Sequence, residues 1–299
     1  MSTTPIYRII SLFSGSKGNC TLLRVGETHI LIDAGMSCRA IERALCAVGE
    51  KLSDINAILI THEHSDHTKA LPVLLKKHPV PVHVADATAK ELCRSGFPSD
   101  CFAVHSPCCE IHVAAGKTAP VVRINSFVVP HDSRCCVGYR FTSEGEGWSH
   151  IAAIATDMGC VTDDIRTSLC GAKEIILESN HDENMLMMGP YPYELKRRIL
   201  SNQGHLSNTC AAEFLCELTS GGARHLLLAH LSPENNTPEL AYLTAQAALR
   251  RKGLVQDEDY TLAVARRDTP VILYEELGED AKQPTALTDE ECGCDEDSV

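Results

Sequence analysis

Short apolar runs separated by turn residues dominate the chain, and their periodicity alternates between that of strands and that of helices. Residues 8–13 read as an apolar strand that runs into a small flexible loop, Ser14-Gly15-Ser16-Lys17-Gly18-Asn19. Residues 20–25 and 28–32 flank Gly26-Glu27 and predict a hairpin. Apolar residues at helical spacing predict a helix over 38–48, a buried strand over 57–60, and a helix over 66–77 with Asp66 near its start. Further strands are expected at 82–84, 121–129, 137–141, 151–155, 174–177 and 225–229. Helices are expected at 87–95, 192–201, 207–219 and 238–252, with Ser207 as the N-cap of the third. Residues 261–265 and 271–274 are expected to close the body as a hairpin. Strands interleaved with helices point to a layered α/β domain.

One regularity stands above the individual elements. Asp33, His62, His131, Asp157 and His230 each follow directly on an apolar strand. Strand ends of a layered α/β domain converge on one rim, where loops present polar groups to a shared site.

Composition narrows the class. A chain of 299 residues that is 44% hydrophobic can build one large domain or two small ones. Its uncharged apolar runs are too short to span a bilayer, and the N-terminus has no cleavage-site pattern, so a cytoplasmic protein without membrane attachment is expected. The fifteen cysteines are odd in number and include no Cys-x-x-Cys pair, which argues against a zinc ribbon or a thioredoxin-type site. Most are expected to be reduced, buried small hydrophobes. Residues 278–299 hold eight acidic side chains against Lys282 alone, so they carry much of the net charge of −13. That segment is expected to be a disordered tail on a hydrolase domain spanning 1–277. The body that remains is mildly acidic and does not resemble a general nucleic-acid coat.

His62-x-His64-x-Asp66-His67 places four potential ligands in one strand-to-helix turn. Imidazoles and a carboxylate suit zinc, manganese or iron(II), and so tight a group can wrap two adjacent cations. His131 and His230 are the best-placed additional neutral ligands, and Asp157 is the best-placed carboxylate. Each alone would read as a capping aspartate or a satisfied surface histidine; their common position after strands favours metal. Asp33 fits either a ligand or an acceptor that orients a metal-bound histidine.

The order Asp33-Ala-Gly, His62-x-His64-x-Asp66-His67, His131, Asp157, His230 resembles the five motifs of the metallo-β-lactamase superfamily, across roughly residues 6–275. Longer stretches narrow it: Pro130-His131-Asp132, Thr156-Asp157-Met-Gly159, Glu178-Ser-Asn-His181-Asp182, Gly204-His-Leu-Ser-Asn208 and Ala229-His-Leu-Ser232 are similar to the YycJ/WalJ group, bacterial relatives of ribonuclease Z. The resemblance implies a single-domain, four-layer αββα sandwich with its site at the rim. It implies that His62, His64 and His131 hold one divalent ion, that Asp66, His67 and His230 hold a second, and that Asp157 bridges them. Zinc is the first expectation, with manganese or iron as alternatives. A water shared by two such cations loses a proton near neutral pH, and Asp66 is a candidate to accept it. His205 stands before a helix start and is the candidate to protonate a leaving oxygen or to bind phosphate. Asn19, Asn180, His181 and Ser207 are expected at the substrate rim.

The carboxylate at Asp157 occupies a place where lactam-hydrolysing relatives carry a cysteine, which favours the phosphodiesterase and thioesterase branches. The subgroup motifs favour phosphodiester cleavage, hence an exonuclease-like enzyme acting on DNA or RNA, or a small phosphodiesterase. A thioester- or other ester-cleaving hydrolase and a non-catalytic metal-binding protein are the alternatives. The stretch between Asp157 and His230 leaves no room for an inserted nucleic-acid clamp, so a polymer would be gripped by the body itself. Lys196-Arg197-Arg198, Arg250-Arg251-Lys252 and Arg266-Arg267 are the basic clusters available, the first two expected as solvated helix faces. Aromatic residues are only 5%, which leaves little for base stacking.

Overall fold

Runs that are apolar at every position, rather than at alternate ones, can be strands only if both faces are covered. The computed structural model describes residues 4–278, and in it two seven-stranded sheets pack face to face with helices on both outer sides. In the first sheet β1 (Tyr7–Phe13), β2 (Cys20–Val25) and β3 (Thr28–Ile32) are antiparallel neighbours. β4 (Ile55–Leu59), β5 (Val82–Ala85) and β6 (Phe102–His105) extend it in parallel. The second sheet repeats the plan. β7 (Glu110–Val113), β8 (Val122–Val129), β9 (Cys136–Gly145) and β10 (Trp148–Ala155) form an antiparallel meander. Parallel strands β11 (Glu174–Glu178), β12 (His225–Ala229) and β13 (Thr261–Val264) follow.

The inner faces meet in one core, in which Ile9, Leu23, Ile30 and Leu59 face Ile124, Tyr139, Ile154 and Leu227. Outside the first sheet, Leu22, Leu31, Ile58 and Val84 are covered by α1 (Cys38–Ala47), α3 (Leu71–Lys77) and α4 (Asp86–Arg94). Outside the second, Ile175, Leu177, Leu226 and Leu228 are covered by α5 (Asp163–Leu169), α8 (Asn208–Ser220) and α9 (Pro238–Arg251). Hence β1, β3 and β11 are buried at every position. This is the αββα sandwich expected from the motifs.

Four expectations need correction. The helix over 66–77 is two helices, α2 (Ser65–Thr68) and α3, because Pro72 has no N–H to continue the ladder. The closing hairpin does not form: β13 lies parallel to β12, whereas β14 (Val271–Glu276) crosses to the first sheet and pairs antiparallel with β1. Short elements escaped the pattern, namely β6, β7, α5 and α6 (Glu183–Met188), each seven residues or fewer. Burial of cysteines holds for Cys20, Cys38, Cys46, Cys136 and Cys216, but Cys108, Cys170 and Cys210 are exposed and Cys93, Cys101, Cys109, Cys135 and Cys160 half-buried. No helix among the described residues is long and apolar enough to cross a membrane. The acidic tail, apart from Gly278, lies outside the described residues.

Candidate metal centre

The strand-end rule is realised at one rim. Asp33 follows β3, His62 lies just beyond β4, His131 beyond β8, Asp157 beyond β10 and His230 directly after β12. Both sheets therefore contribute, so the site exists only when the sandwich is closed. Asp33, Asp157 and His230 have φ values of 61°, 57° and 57°. Non-glycine residues occupy this left-handed region at some cost, and such strain gathers where side chains must be aimed off a strand end.

The structure brings the expected ligands together. His62, His64 and His131 form one group whose nitrogens lie within 4.8 Å of one another, and Asp66, His67 and His230 form a second. Asp157 stands between them. Its Oδ2 is 3.4 Å from His67 Nε2, and its Oδ1 is 3.8 Å from His131 Nε2 and 3.5 Å from His230 Nε2. Asp157 Oδ2 and His230 Nε2 are buried and have no hydrogen-bond partner among the described residues. Orphaned buried acceptors and imidazole nitrogens converging in this way fit a divalent cation, because burial without a partner would otherwise be costly. The protons respond accordingly. Burial opposes charge on His230, but Asp157, Asp66 and Glu178 outweigh it and push its pKa up to about 10. Burial and the neighbouring His67 and His131 drive His62 well below its ordinary value.

A shell of fixed groups aims these ligands. Asp33 accepts from the Thr61 backbone N–H at 2.9 Å and lies 2.7 Å from His67 Nδ1. It belongs to none of the ligand groups, so its geometry is that of the orienting acceptor. Asn19 is buried, with Nδ2 3.1 Å from His67 Nε2 and its carbonyl oxygen accepting from Gly15 N–H at 2.9 Å. Gly35 is demanded by sterics: a Cβ there would fall 1.6 Å from Asp66 O. That close approach lets the Asn19 N–H donate to Asp66 O, and the Ala34 N–H to His67 O, both at 2.8 Å.

Glu178, the last residue of β11, was not among the expected site residues. Its Oε1 is 2.7 Å from His230 Nδ1 and 2.9 Å from His205 Nδ1, and its Oε2 accepts from the backbone N–H groups of Met158 and Leu206. Burial would raise its pKa, but the two histidines hold it well below the carboxylate range. The strand-end pattern points to it, but a strand read as ending at 177 stops one residue short.

His205 lines a cavity of about 160 Å³ beside the ligands, with Ser16, Asp132, Asn180, Tyr191 and Arg198 on its walls. Burial lowers its pKa, yet Glu178 outweighs that and leaves it raised. Asn180 reaches the same cavity and donates from Nδ2 to His230 O at 2.8 Å. Ser207 caps α8 as expected, accepting from the Cys210 N–H, and its hydroxyl also bonds Glu183. His181 is buried with neither ring nitrogen hydrogen-bonded, and it is not in any ligand group or among the cavity walls. Its ring lies within electrostatic reach of Glu178 and His205. Lys196-Arg197-Arg198, read as a solvated face, divides among three tasks. Lys196 donates to Met187 O and Gly189 O, Arg197 lies over Tyr193, and Arg198 pairs with Asp132 at the cavity.

A cluster of histidines and carboxylates at the strand ends of an αββα sandwich defines a metal-dependent hydrolase. Residues 28–231 match the model of the beta-lactamase superfamily domain, and the chain belongs to that superfamily. It is 36% identical over 253 residues to exodeoxyribonuclease YycJ of Bacillus anthracis, a match that covers 84% of this chain and 92% of that one. It is 33% identical over 264 residues to exodeoxyribonuclease WalJ of Streptococcus pneumoniae, covering 88% of this chain and 96% of the relative. The metallo-beta-lactamase fold protein YhfI from Bacillus subtilis superposes with a TM-score of 0.64 at 16% identity, over 89% of this chain and 99% of that one, which bears on the fold.

Proposed function

We propose that the protein is a dinuclear phosphodiesterase that acts on DNA as an exonuclease in the cytoplasm. The observation that carries this reading is the placing of Asp157, one buried carboxylate within 3.8 Å of histidines from both ligand groups. The relatives named exodeoxyribonucleases, matched over most of their length, supply the substrate class. His62, His64 and His131 would hold one ion and Asp66, His67 and His230 the other, with Asp157 between them. Zinc is the first choice for this donor set. Bound divalent ions supply Lewis acidity, which activates water and offsets charge on a phosphoryl group.

The chain's own residues do the rest. Asp33 and Glu178 fix the rings of His67 and His230 through Nδ1, leaving Nε2 of each for the centre. Asp66, only partly buried, would take a proton from the attacking water. Glu178 engages His205 Nδ1 and favours its protonated form, so Nε2 would be the atom that donates to the leaving oxygen. Asn180 and Ser16 complete the walls that orient the scissile group.

The test is metal analysis with a substrate panel. Purified protein is expected to carry about two transition-metal ions per chain, with His67→Ala and Asp157→Ala losing metal and activity together. With zinc or manganese it is expected to hydrolyse bis-p-nitrophenyl phosphate and to shorten end-labelled DNA, in preference to RNA, a thioester or a lactam. Preference for the thioester would move the protein to the ester-cleaving branch. Metal without any hydrolysis would make it a binding protein.

A further inference from the structure

Soluble proteins rarely leave large apolar side chains exposed together unless they meet a partner. Beside the cavity, α6 is followed by a turn and by α7 (Tyr193–Ile199), and this segment exposes four such residues. Met188 is 91% exposed, Tyr193 68%, Met187 55% and Leu200 46%. The segment is not loose. Lys196 Nζ donates to the carbonyls of Met187 and Gly189 at 2.7 and 2.8 Å and ties the turn to α7. On its inner side Tyr191, Leu195 and Arg198 line the hydrolytic cavity together with His205. On its outer side the Arg197 guanidinium lies 5.9 Å from the Tyr193 ring centroid, and among the described residues it pairs with the exposed Glu194 at 3.6 Å. Ser16 also lines this cavity, and the Arg267 side chain lies against the neighbouring Gly15.

Aromatic and thioether surfaces alternate here with guanidinium groups, and the whole is continuous with the cavity. A polyanion with flat apolar faces matches that pattern, and continuity with the cavity lined by Arg198 and His205 favours a strand whose end enters it over a membrane surface or an acidic peptide. A cavity of about 160 Å³ has room for a phosphate with its sugar but not for a paired duplex. We propose that the α6–α7 segment is the wall along which a single-stranded DNA is held while its end enters the cavity. Bases stack on Tyr193 and Met188, and Arg197 exchanges Glu194 for backbone phosphate. Surface ion pairs of this exposed kind are weak, so the exchange costs little. The inference rests on the phosphodiesterase reading and adds to it the route of the strand.

The experiment is fluorescence anisotropy of a labelled, cleavage-resistant phosphorothioate oligothymidylate on metal-loaded protein, with a cleavage assay of ordinary DNA on the wild type in parallel. Tyr193→Ala is expected to weaken binding about tenfold, and Tyr193→Phe to restore it, because a ring stacks with or without its hydroxyl. Arg197→Ala is expected to reduce the dependence of log affinity on log salt by about one. Both side chains are solvent-exposed, and circular dichroism checks that the variants are folded. Wild-type affinity in both variants, with DNA cleaved normally by the parent protein, would overturn the wall and leave the phosphodiesterase reading standing. A parent protein that cleaves neither DNA nor bis-p-nitrophenyl phosphate would overturn that reading, and the wall with it.

Discussion

Two glutamates close the two ends of β11, and the structure holds them in opposite states. Glu178 is kept ionised by His205 and His230, whereas burial pushes Glu174 up to about 7. Glu174 sits at the end of the sandwich away from the ligands, 2% exposed, with Tyr7 Oη at 3.5 Å from Oε2. Tyr7 in turn stacks on His150, with ring centroids 3.8 Å apart. The charges facing Glu174 do not neutralise it: Lys173 lowers its pKa only in part, and Glu276 opposes that. The perturbation is Glu174→Gln, which keeps the volume and an acceptor for Tyr7. A carboxyl group that ionises near 4.5 in the unfolded chain and near 7 in the folded one contributes stability that is fully present below 4.5. That contribution is lost as pH rises to about 7, at about 1.4 kcal/mol per pH unit, so ~3 kcal/mol in all. The amide variant does not pay this cost. Its stability relative to the parent should therefore rise by ~3 kcal/mol between pH 4.5 and 8, and stay level above that. Urea unfolding followed by the single tryptophan, Trp148, measures the difference. Chelator is present throughout, so that the metal centre titrates alike in both proteins. Parallel stability curves for the two proteins across this range would show that Glu174 ionises normally in the fold and would refute the argument.

Asp33→Asn keeps a side chain that tolerates the left-handed backbone but weakens the grip on His67 Nδ1. Metal affinity is expected to fall about 10- to 100-fold with little loss of fold, as read by competition with a chromogenic chelator. In Glu178→Gln the negative charge shared by His205 and His230 is gone. We expect a pH–rate profile whose alkaline limb moves down in pH, since His205 no longer has the carboxylate that raises its pKa; an unmoved alkaline limb would exclude His205 as the proton donor. Gly35→Ala must push its Cβ out of a position 1.6 Å from Asp66 O. A loss of ~1–3 kcal/mol in stability, together with weakened metal retention, is expected from calorimetry and metal analysis.

Much of the site was legible in the amino-acid order because it is written in local chemistry. The His62–His67 turn is contiguous, and Asp33, His131, Asp157 and His230 each announce themselves by following an apolar run. The same short-range patterning shows helices α1, α4, α8 and α9 and most of the inner strands. Pro72 marks the break between α2 and α3 for anyone who weighs its missing N–H. What the order of residues does not contain is the pairing of strands far apart in the chain. Nothing local says that β14 leaves β13 and pairs with β1, or that Glu174 and Tyr7 meet between the sheets. Nor does it say that Tyr191 and Arg198 turn toward His205 while Tyr193 and Arg197 turn away. Periodicity and turn chemistry act over a few residues, and the sequence by itself therefore determined the α/β order, the strand ends that carry polar groups and the candidate ligands. The pairing of β11 with β12 sets Glu178 beside His230, and closure of two sheets over one core sets Asp157 between ligand groups from both; these long-range contacts, and with them which basic residues face the cavity, only the tertiary structure decided.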